Sequence, residues 1–333
     1  MNILLALRFY GIDDIRVENI SNLTYSPNEA LVKVKYAGIC GSDLRIFKKG
    51  MFVKSTPITM GHEFSGVIEA VGSQVSELLP GDHVIGDPRV SCNNCKWCHA
   101  GSYNLCPELG FIGEVLPGCF AEYIIIDSKK LFKIPSSIDL KEAALAEPLA
   151  VVLHIIKNSN LSHSDAIGIV GAGPIGLLAL LVVQEFYSKN VTMIDISSIR
   201  LEKAKILGAR KIMQKFPINS SERVDIVIET AGCEETLNNS FRWLNPQGKL
   251  VMCGLYENNI RIDPNDILYK ELKLIGINAY DTEDIRKAIE LLSNKCIKVG
   301  SIITDVLPLS EAVKGFELLT ASEKKSIKVL LAS

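Results

Sequence analysis

The chain has 333 residues, of which 47% are apolar and 22% charged, and 36 Lys and Arg against 38 Asp and Glu leave a net charge of −2. That length exceeds one ordinary hydrophobic core and suits two domains, and the balanced charge gives no electrostatic basis for binding nucleic acid or an anionic membrane. Nine cysteines, an odd number with four packed between Cys92 and Cys106, suit metal ligation in a reducing compartment better than a disulfide framework.

The opening Met1-Asn2-Ile3-Leu4-Leu5-Ala6-Leu7-Arg8 lacks the basic region, long apolar run and small-residue cleavage site of a secretory signal. The apolar runs Ala166–Val170 and Ile175–Val183 are bounded or interrupted by Gly and Pro, so neither reads as a membrane span. A cytoplasmic protein is expected. From Ala30 to about Asp127, short β-branched runs such as Leu31-Val32-Lys33-Val34, Gly66-Val67-Ile68, His83-Val84-Ile85 and Tyr123-Ile124-Ile125-Ile126 alternate with Gly, Pro and Asp turns. This pattern predicts a mostly antiparallel β domain.

Chemistry-bearing residues are scattered through that region. Cys40-Gly41-Ser42-Asp43, Gly61-His62-Glu63 and, further on, Glu147-Pro148 offer one thiol, one imidazole and carboxylates. Such a set leaves a coordination position open for water or substrate, as catalytic zinc requires. Singly, each has an ordinary reading as a buried thiol, a satisfied polar ring or a solvated helix end, and spacing does not show that they meet. Cys92-x-x-Cys95-x-x-Cys98-x(7)-Cys106 is more specific, because four soft ligands within fifteen residues match a closed tetrahedral zinc site. An iron–sulfur cluster and inert buried thiols are the alternatives. His99 finds no vacancy beside four thiolates.

From Ala166 to Ile277 the pattern changes to apolar strands alternating with helical segments: Ala166–Val170, Val191–Asp195, Val224–Glu229, Lys249–Cys253 and Leu272–Ile275. The alternation predicts an α/β, doubly wound parallel sheet. Gly171-Ala172-Gly173-Pro174-Ile175-Gly176 follows the first of these strands and opens a helix. The first Gly permits a tight turn, the second lets the backbone approach a pyrophosphate, and the third lets helix pack on strand, while the helix N-terminus attracts the anion. Asp195 ends the next strand where a carboxylate accepts hydrogen bonds from the adenosine ribose, and its charge repels the phosphate of NADP, so NAD is expected. Arg200 is placed near that ribose. Helical patterns at Thr282–Ser293 and Ser310–Leu319 and a strand-like Ile327-Lys328-Val329-Leu330-Leu331 close the chain and are expected to complete the first domain.

The order of these five motifs resembles that of the zinc-containing medium-chain alcohol dehydrogenases over nearly the whole chain. The resemblance implies a GroES-like β-rich catalytic domain, residues 1–148 completed by 278–333, and a Rossmann coenzyme domain at 149–277, with the active site in the cleft between them. It implies two zinc ions per chain. One is catalytic, on Cys40 and His62, with Glu63 and Glu147 each able to ligate it, directly or through water; the other is structural, on the cysteine quartet. Glu147 stands where the simple-alcohol branch has Cys, so the chain looks like the polyol branch of sorbitol and galactitol-phosphate dehydrogenases. The expected reaction is hydride transfer between NAD and a polyol, polyol phosphate or sugar-derived alcohol. Simple secondary-alcohol, threonine-type and sugar-acid dehydrogenases are the alternatives within the family. Outside it, the rivals are a zinc-free reductase, a lyase or epimerase with retained NAD, and a nonenzymatic NAD sensor.

Ser42 is expected to take the hydroxyl proton, because many relatives carry a relay His five residues after the first zinc Cys and this chain has Arg45 there. Sorbitol dehydrogenases carry an Arg-Tyr pair after the last coenzyme-domain strand; here Ala279 precedes Tyr280, which is retained as a substrate contact. Arg45, Lys48, Lys49 and Arg89 read chiefly as solvated charges, with an anionic substrate group as the other option. A homodimer or homotetramer is expected by resemblance.

Overall fold

The computed structural model describes residues 4–21, 24–321, 323 and 325–333. Met1 to Ile3, part of the opening segment read above, lie outside the described residues. Strands Leu4–Gly11 and Asp14–Ile20 form an antiparallel hairpin, and Ile58–Thr59 pairs with the outer side of the first. Sequence reasoning passed over this hairpin, which begins before the first clear turn signals.

A seven-stranded sheet forms the body of the first domain, in the order Leu131–Lys133, His83–Gly86, Glu63–Val71, Glu29–Gly38, Lys328–Ala332 and Ile303–Pro308, with Tyr123–Asp127 also paired to Glu29–Gly38. Buried and half-buried residues alternate along Glu29–Gly38, the period-two pattern that sends Ala30, Val32 and Val34 into the core. Lys328–Ala332 returns from the end of the chain and runs antiparallel to this strand, setting Leu330 opposite Gly38 and Ala332 opposite Tyr36.

Six parallel strands make the second sheet, in the order Lys211–Met213, Val191–Ile194, Ile167–Val170, Val224–Glu229, Leu244–Met252 and Lys273–Gly276. All four residues of Ile167–Val170 are buried, as the centre of a sheet covered on both faces requires. The chain moves outward from that strand in one direction and then returns to its other side, so the strand order reverses there and a crevice opens at the carboxyl ends. The glycine loop lies at this point. Gly171 has φ +98, and a Cβ on Gly176 would stand 1.8 Å from the Gly171 carbonyl oxygen, so only glycine fits either place. Pro174 then starts the Pro174–Phe186 helix, where its fixed φ is favourable.

The two sheets are not the whole boundary. Helix Thr282–Ser293, capped by Asp281 through the Glu283 and Asp284 amides, sends Ile285, Ala288, Leu291 and Leu292 into the same apolar core as Ile167, Leu177 and Val182. Residues after 278 therefore serve both cores: the helix packs into the core of Ile167, and the last strand sends Leu330 there and Val329 and Leu331 into the other. Among the described residues, no helix is long and apolar enough to cross a membrane.

Candidate active site and metal centres

Two neighbouring strands assemble the first site. Glu29–Gly38 and Glu63–Val71 are paired so that Gly38 faces Glu63, which brings Cys40, two residues past one strand, beside His62 and Glu63 at the start of the other. One ligand atom from each of Cys40, His62 and Glu63 lies within 4.8 Å of the others. Cys40 is also the N-cap of helix Gly41–Lys49, whose third residue, Asp43, reaches back to accept the Cys40 amide at 2.9 Å, and Gly50 ends it in a left-handed turn. The helix thus fixes where the Cys40 thiol points. It also places Ser42 Oγ 3.5 Å from His62 Nε2.

Behind His62 stands Asp43, its Oδ1 3.6 Å from Nδ1, and both atoms are buried without a hydrogen-bond partner. A carboxylate at that nitrogen orients the ring and leaves Nε2 to face a metal, the support that zinc-binding histidines commonly have. Burial disfavours the imidazolium, but Asp43, Cys40 and Glu147 outweigh it and hold the His62 pKa well above its ordinary value. A dication among these groups meets the same negative field. One thiol, one imidazole and one carboxylate fit zinc with a position left open.

Glu147 lies in the first turn of helix Ala146–Ser159 and is only 7% exposed. It falls outside the 4.8 Å ligand set. Its carboxyl is pushed up to about 7, first by burial, with His62 pulling it down and Glu63 adding to the rise. Glu63 itself is neutralised by Lys328, whose Nζ donates to Glu63 Oε2 and, at 3.1 Å, to the Ile39 carbonyl.

The cysteine quartet converges as its spacing suggested. Cys95 and Cys98 sulfurs are 3.6 Å apart, Cys106 and Cys92 3.5 Å, and Cys92 and Cys98 3.9 Å. Four thiolates around zinc, at about 2.3 Å each, have edges of about 3.8 Å, so the sulfurs already outline the tetrahedron. His99 is turned away, its Nε2 3.1 Å from the Asn94 carbonyl.

At the coenzyme crevice, Asp195 accepts the Ala172 amide at 2.7 Å and the Ser197 amide at 2.8 Å. It therefore ties the glycine loop to the end of strand Val191–Ile194. Arg200 lies over the loop, with Nη1 4.0 Å from where a Cβ on Gly173 would be, and donates to the Ser326 carbonyl at 3.3 Å. Glu229, unmarked in the sequence, is buried and accepts from the Ala231 and Gly232 amides, Thr236 and Tyr256, which shapes the opposite wall of the crevice.

Several charges differ from their expected placement. Arg89 is neither solvated nor open to an anionic substrate: it is 1% exposed, with Nε and Nη2 on the Asp87 carboxylate and its guanidinium 4.5 Å from the Tyr280 ring centre. Tyr280, expected at the substrate, has no exposed surface, and its hydroxyl is buried without a partner. In this conformation the ring backs the pocket beside Arg89 and does not line open space. Arg45 is half-buried and reaches Glu257 at 3.3 Å and the Leu255 carbonyl at 3.1 Å, whereas Lys48 pairs with exposed Asp13.

Lys328 was legible only as one charge in the apolar run Ile327–Leu331, a signal that sequence reasoning left unused. Removing one member of a buried ion pair leaves the other uncompensated, at a cost of about 3–5 kcal/mol. Lys328→Met is expected to lose that much stability in urea unfolding; a loss below about 1 kcal/mol would show that the pair does not support the fold.

Comparison with known proteins agrees with this geometry. The alcohol dehydrogenase GroES-like domain model matches residues 26–136, and the zinc-binding dehydrogenase model matches residues 174–294. D-xylulose reductase A of Aspergillus oryzae (strain ATCC 42149 / RIB 40) is 35% identical, over 92% of this chain and 89% of its own length. Galactitol-1-phosphate dehydrogenase from Escherichia coli has 30% identity and a TM-score of 0.90, covering 99% of this chain and 100% of its own. A Sinorhizobium meliloti 1021 protein designated a zinc-binding dehydrogenase, solved with NADP bound, has 31% identity and a TM-score of 0.92 over 100% of both chains. Zinc and a nicotinamide dinucleotide are the cofactors that these matches and the two ligand clusters support together. The fold, the order of the motifs and the relatives agree from end to end, and the chain belongs to the zinc-containing medium-chain alcohol dehydrogenase family.

Proposed function

We propose that the protein is a zinc-dependent polyol dehydrogenase that interconverts a sugar alcohol and its keto sugar with NAD. The observation that carries this reading is the meeting of Cys40, His62 and Glu63 ligand atoms within 4.8 Å, with the Ser42 hydroxyl beside His62. Zinc held by Cys40, His62 and Glu63 would supply the Lewis acidity that makes an alcohol hydroxyl easier to deprotonate, and a nicotinamide bound in the crevice would supply the hydride acceptor. Ser42 holds the departing hydroxyl proton and passes it outward. Asp43 keeps the His62 ring oriented, and Lys328 fixes Glu63. Glu147 is the second carboxyl of the pocket, its pKa pushed up to about 7 by burial, and is able to accept a proton or a hydrogen bond near pH 7.

Asp195 and the glycine loop hold the coenzyme, and the Asp195 charge favours NAD over NADP. D-xylulose reductase A supports a sugar alcohol as the substrate class. Four clustered thiols support a reducing compartment, the cytoplasm. A homo-oligomer is supported by the outer edge of Lys273–Gly276, which ends its sheet, and by Leu268, Tyr269 and Leu274, large apolar side chains left exposed nearby. Light scattering at micromolar concentration is expected to give at least a dimer, and a monomeric mass would contradict this.

A screen of polyols and polyol phosphates with NAD, read as absorbance of the reduced coenzyme, tests the function. Turnover of at least one polyol is expected, and on the best of them Ser42→Ala is expected to lower turnover by about 100-fold or more with zinc content unchanged. Inactivity with every alcohol would remove the reading, and near-normal turnover of the variant would remove the role of Ser42.

Two separable zincs are expected per chain. The quartet has no open position, so its metal serves to fix a loop, and Cys95→Ser is expected to damage folding as well as activity. His62→Ala is expected to leave a folded, NAD-binding protein with about one zinc and no turnover. Metal analysis with thermal melting and coenzyme titration checks both; one zinc in the fully active wild type would contradict the two-site account.

A further inference from the structure

The strand Gly110–Phe111 and the turn after it lie against the His62 side of the pocket. Phe111 meets the His62 ring edge-on, with centroids 5.8 Å apart. Gly113 presses on the backbone just before His62, since a Cβ there would stand 2.6 Å from the Gly61 nitrogen. The next side chain, Glu114, is carried inward by this packing and is only 7% exposed. Burial raises its carboxyl above the ordinary range, with the His62 charge opposing and the Asp43 charge adding to the rise, so both groups are within electrostatic reach. Glu63 has Lys328 and Asp87 has Arg89, but among the described residues Glu114 forms no ion pair. The Phe111 amide supports its charge, and the remaining acceptor capacity of the carboxyl suits a ligand that donates hydrogen bonds.

The charge around it restricts what that ligand is. Asp43, Glu63, Glu114 and Glu147 are all buried near His62. The cations close by are occupied: Lys328 on Glu63, Arg89 on Asp87 and Arg45 on Glu257. Apart from a metal on Cys40, His62 and Glu63, a phosphate or carboxylate entering beside Glu114 meets, among the described residues, only cations already paired with acids, and two buried carboxyls, Glu114 and Glu147, that have no ion pair. Hydroxyls, which donate hydrogen bonds and carry no charge, suit it.

We propose that Glu114 is a specificity-determining residue whose carboxyl accepts hydrogen bonds from the non-reacting hydroxyls of a neutral polyol, and that the pocket rejects phosphorylated and carboxylate-bearing substrates by charge. This rests on the dehydrogenase reading above and narrows its substrate class. It also separates this chain from its relative named for galactitol 1-phosphate.

The test compares kcat/KM for xylitol, sorbitol and galactitol with that for galactitol 1-phosphate and gluconate. Wild type is expected to favour the neutral compounds by about 100-fold or more, since like charges set together cost several kcal/mol. Glu114→Gln, and Glu114→Ser as a second variant, are expected to narrow that preference by about tenfold or more, chiefly through a higher KM for the neutral polyols. Zinc content and NADH affinity are expected to stay at wild-type levels. A wild type that prefers the phosphate or the acid overturns this inference and leaves the dehydrogenase reading standing. An unchanged preference in both variants overturns it as well, and loss of one zinc in both would make Glu114 a metal ligand instead. No coenzyme reduction with any compound would overturn the function and the inference together.

Discussion

A lysine with 1% of its surface exposed must have its charge met inside the protein, and Lys328 meets it with Glu63 and the Ile39 carbonyl. The contact ties three adjacent strands, Lys328–Ala332, Glu29–Gly38 and Glu63–Val71, directly behind the Cys40, His62 and Glu63 ligand set. The pocket is therefore complete only when the end of the chain has returned to the sheet begun near its start. Removing either Lys328 or Glu63 would leave the other as an uncompensated buried charge, so the pocket and the closure of the first domain are one electrostatic problem.

Four carboxyl groups lie near one imidazole, and their different partners give them different work. Asp43 is pinned to the Cys40 amide and backs the ring. Glu63 is balanced by Lys328 and sits in the ligand set. Glu147 and Glu114 are buried and, among the described residues, have no ion pair, and burial raises both carboxyls above the ordinary range. Position alone, within one pocket, gives the same functional group different surroundings, and the proposed roles of orienter, ligand and substrate acceptor follow from them.

What the sequence made legible was local. The glycine loop, the cysteine quartet and helix Thr282–Ser293 each carry their own signals within about fifteen residues, and each is found where its pattern put it. Catalytic-site ligands were readable as motifs, and their meeting was supplied by family resemblance, because strand register between residues 38 and 63 is not written in spacing. The remainder depends on contacts between distant residues. Arg89 looked like a surface charge because nothing near it in sequence announces that Tyr280 and Thr282 will enclose it. Glu114 sits in a short loop between two glycines, Gly113 and Gly118, and only the approach of Gly113 to Gly61 shows that it faces inward.

A polyol carbon and the nicotinamide ring are expected to exchange hydride directly. Xylitol labelled with deuterium at its carbinol carbons, incubated with the zinc-loaded protein and NAD, gives reduced coenzyme whose isotope content is read by mass spectrometry. The account predicts one deuterium per reduced nicotinamide; unlabelled reduced coenzyme, with the label lost to water, would contradict it.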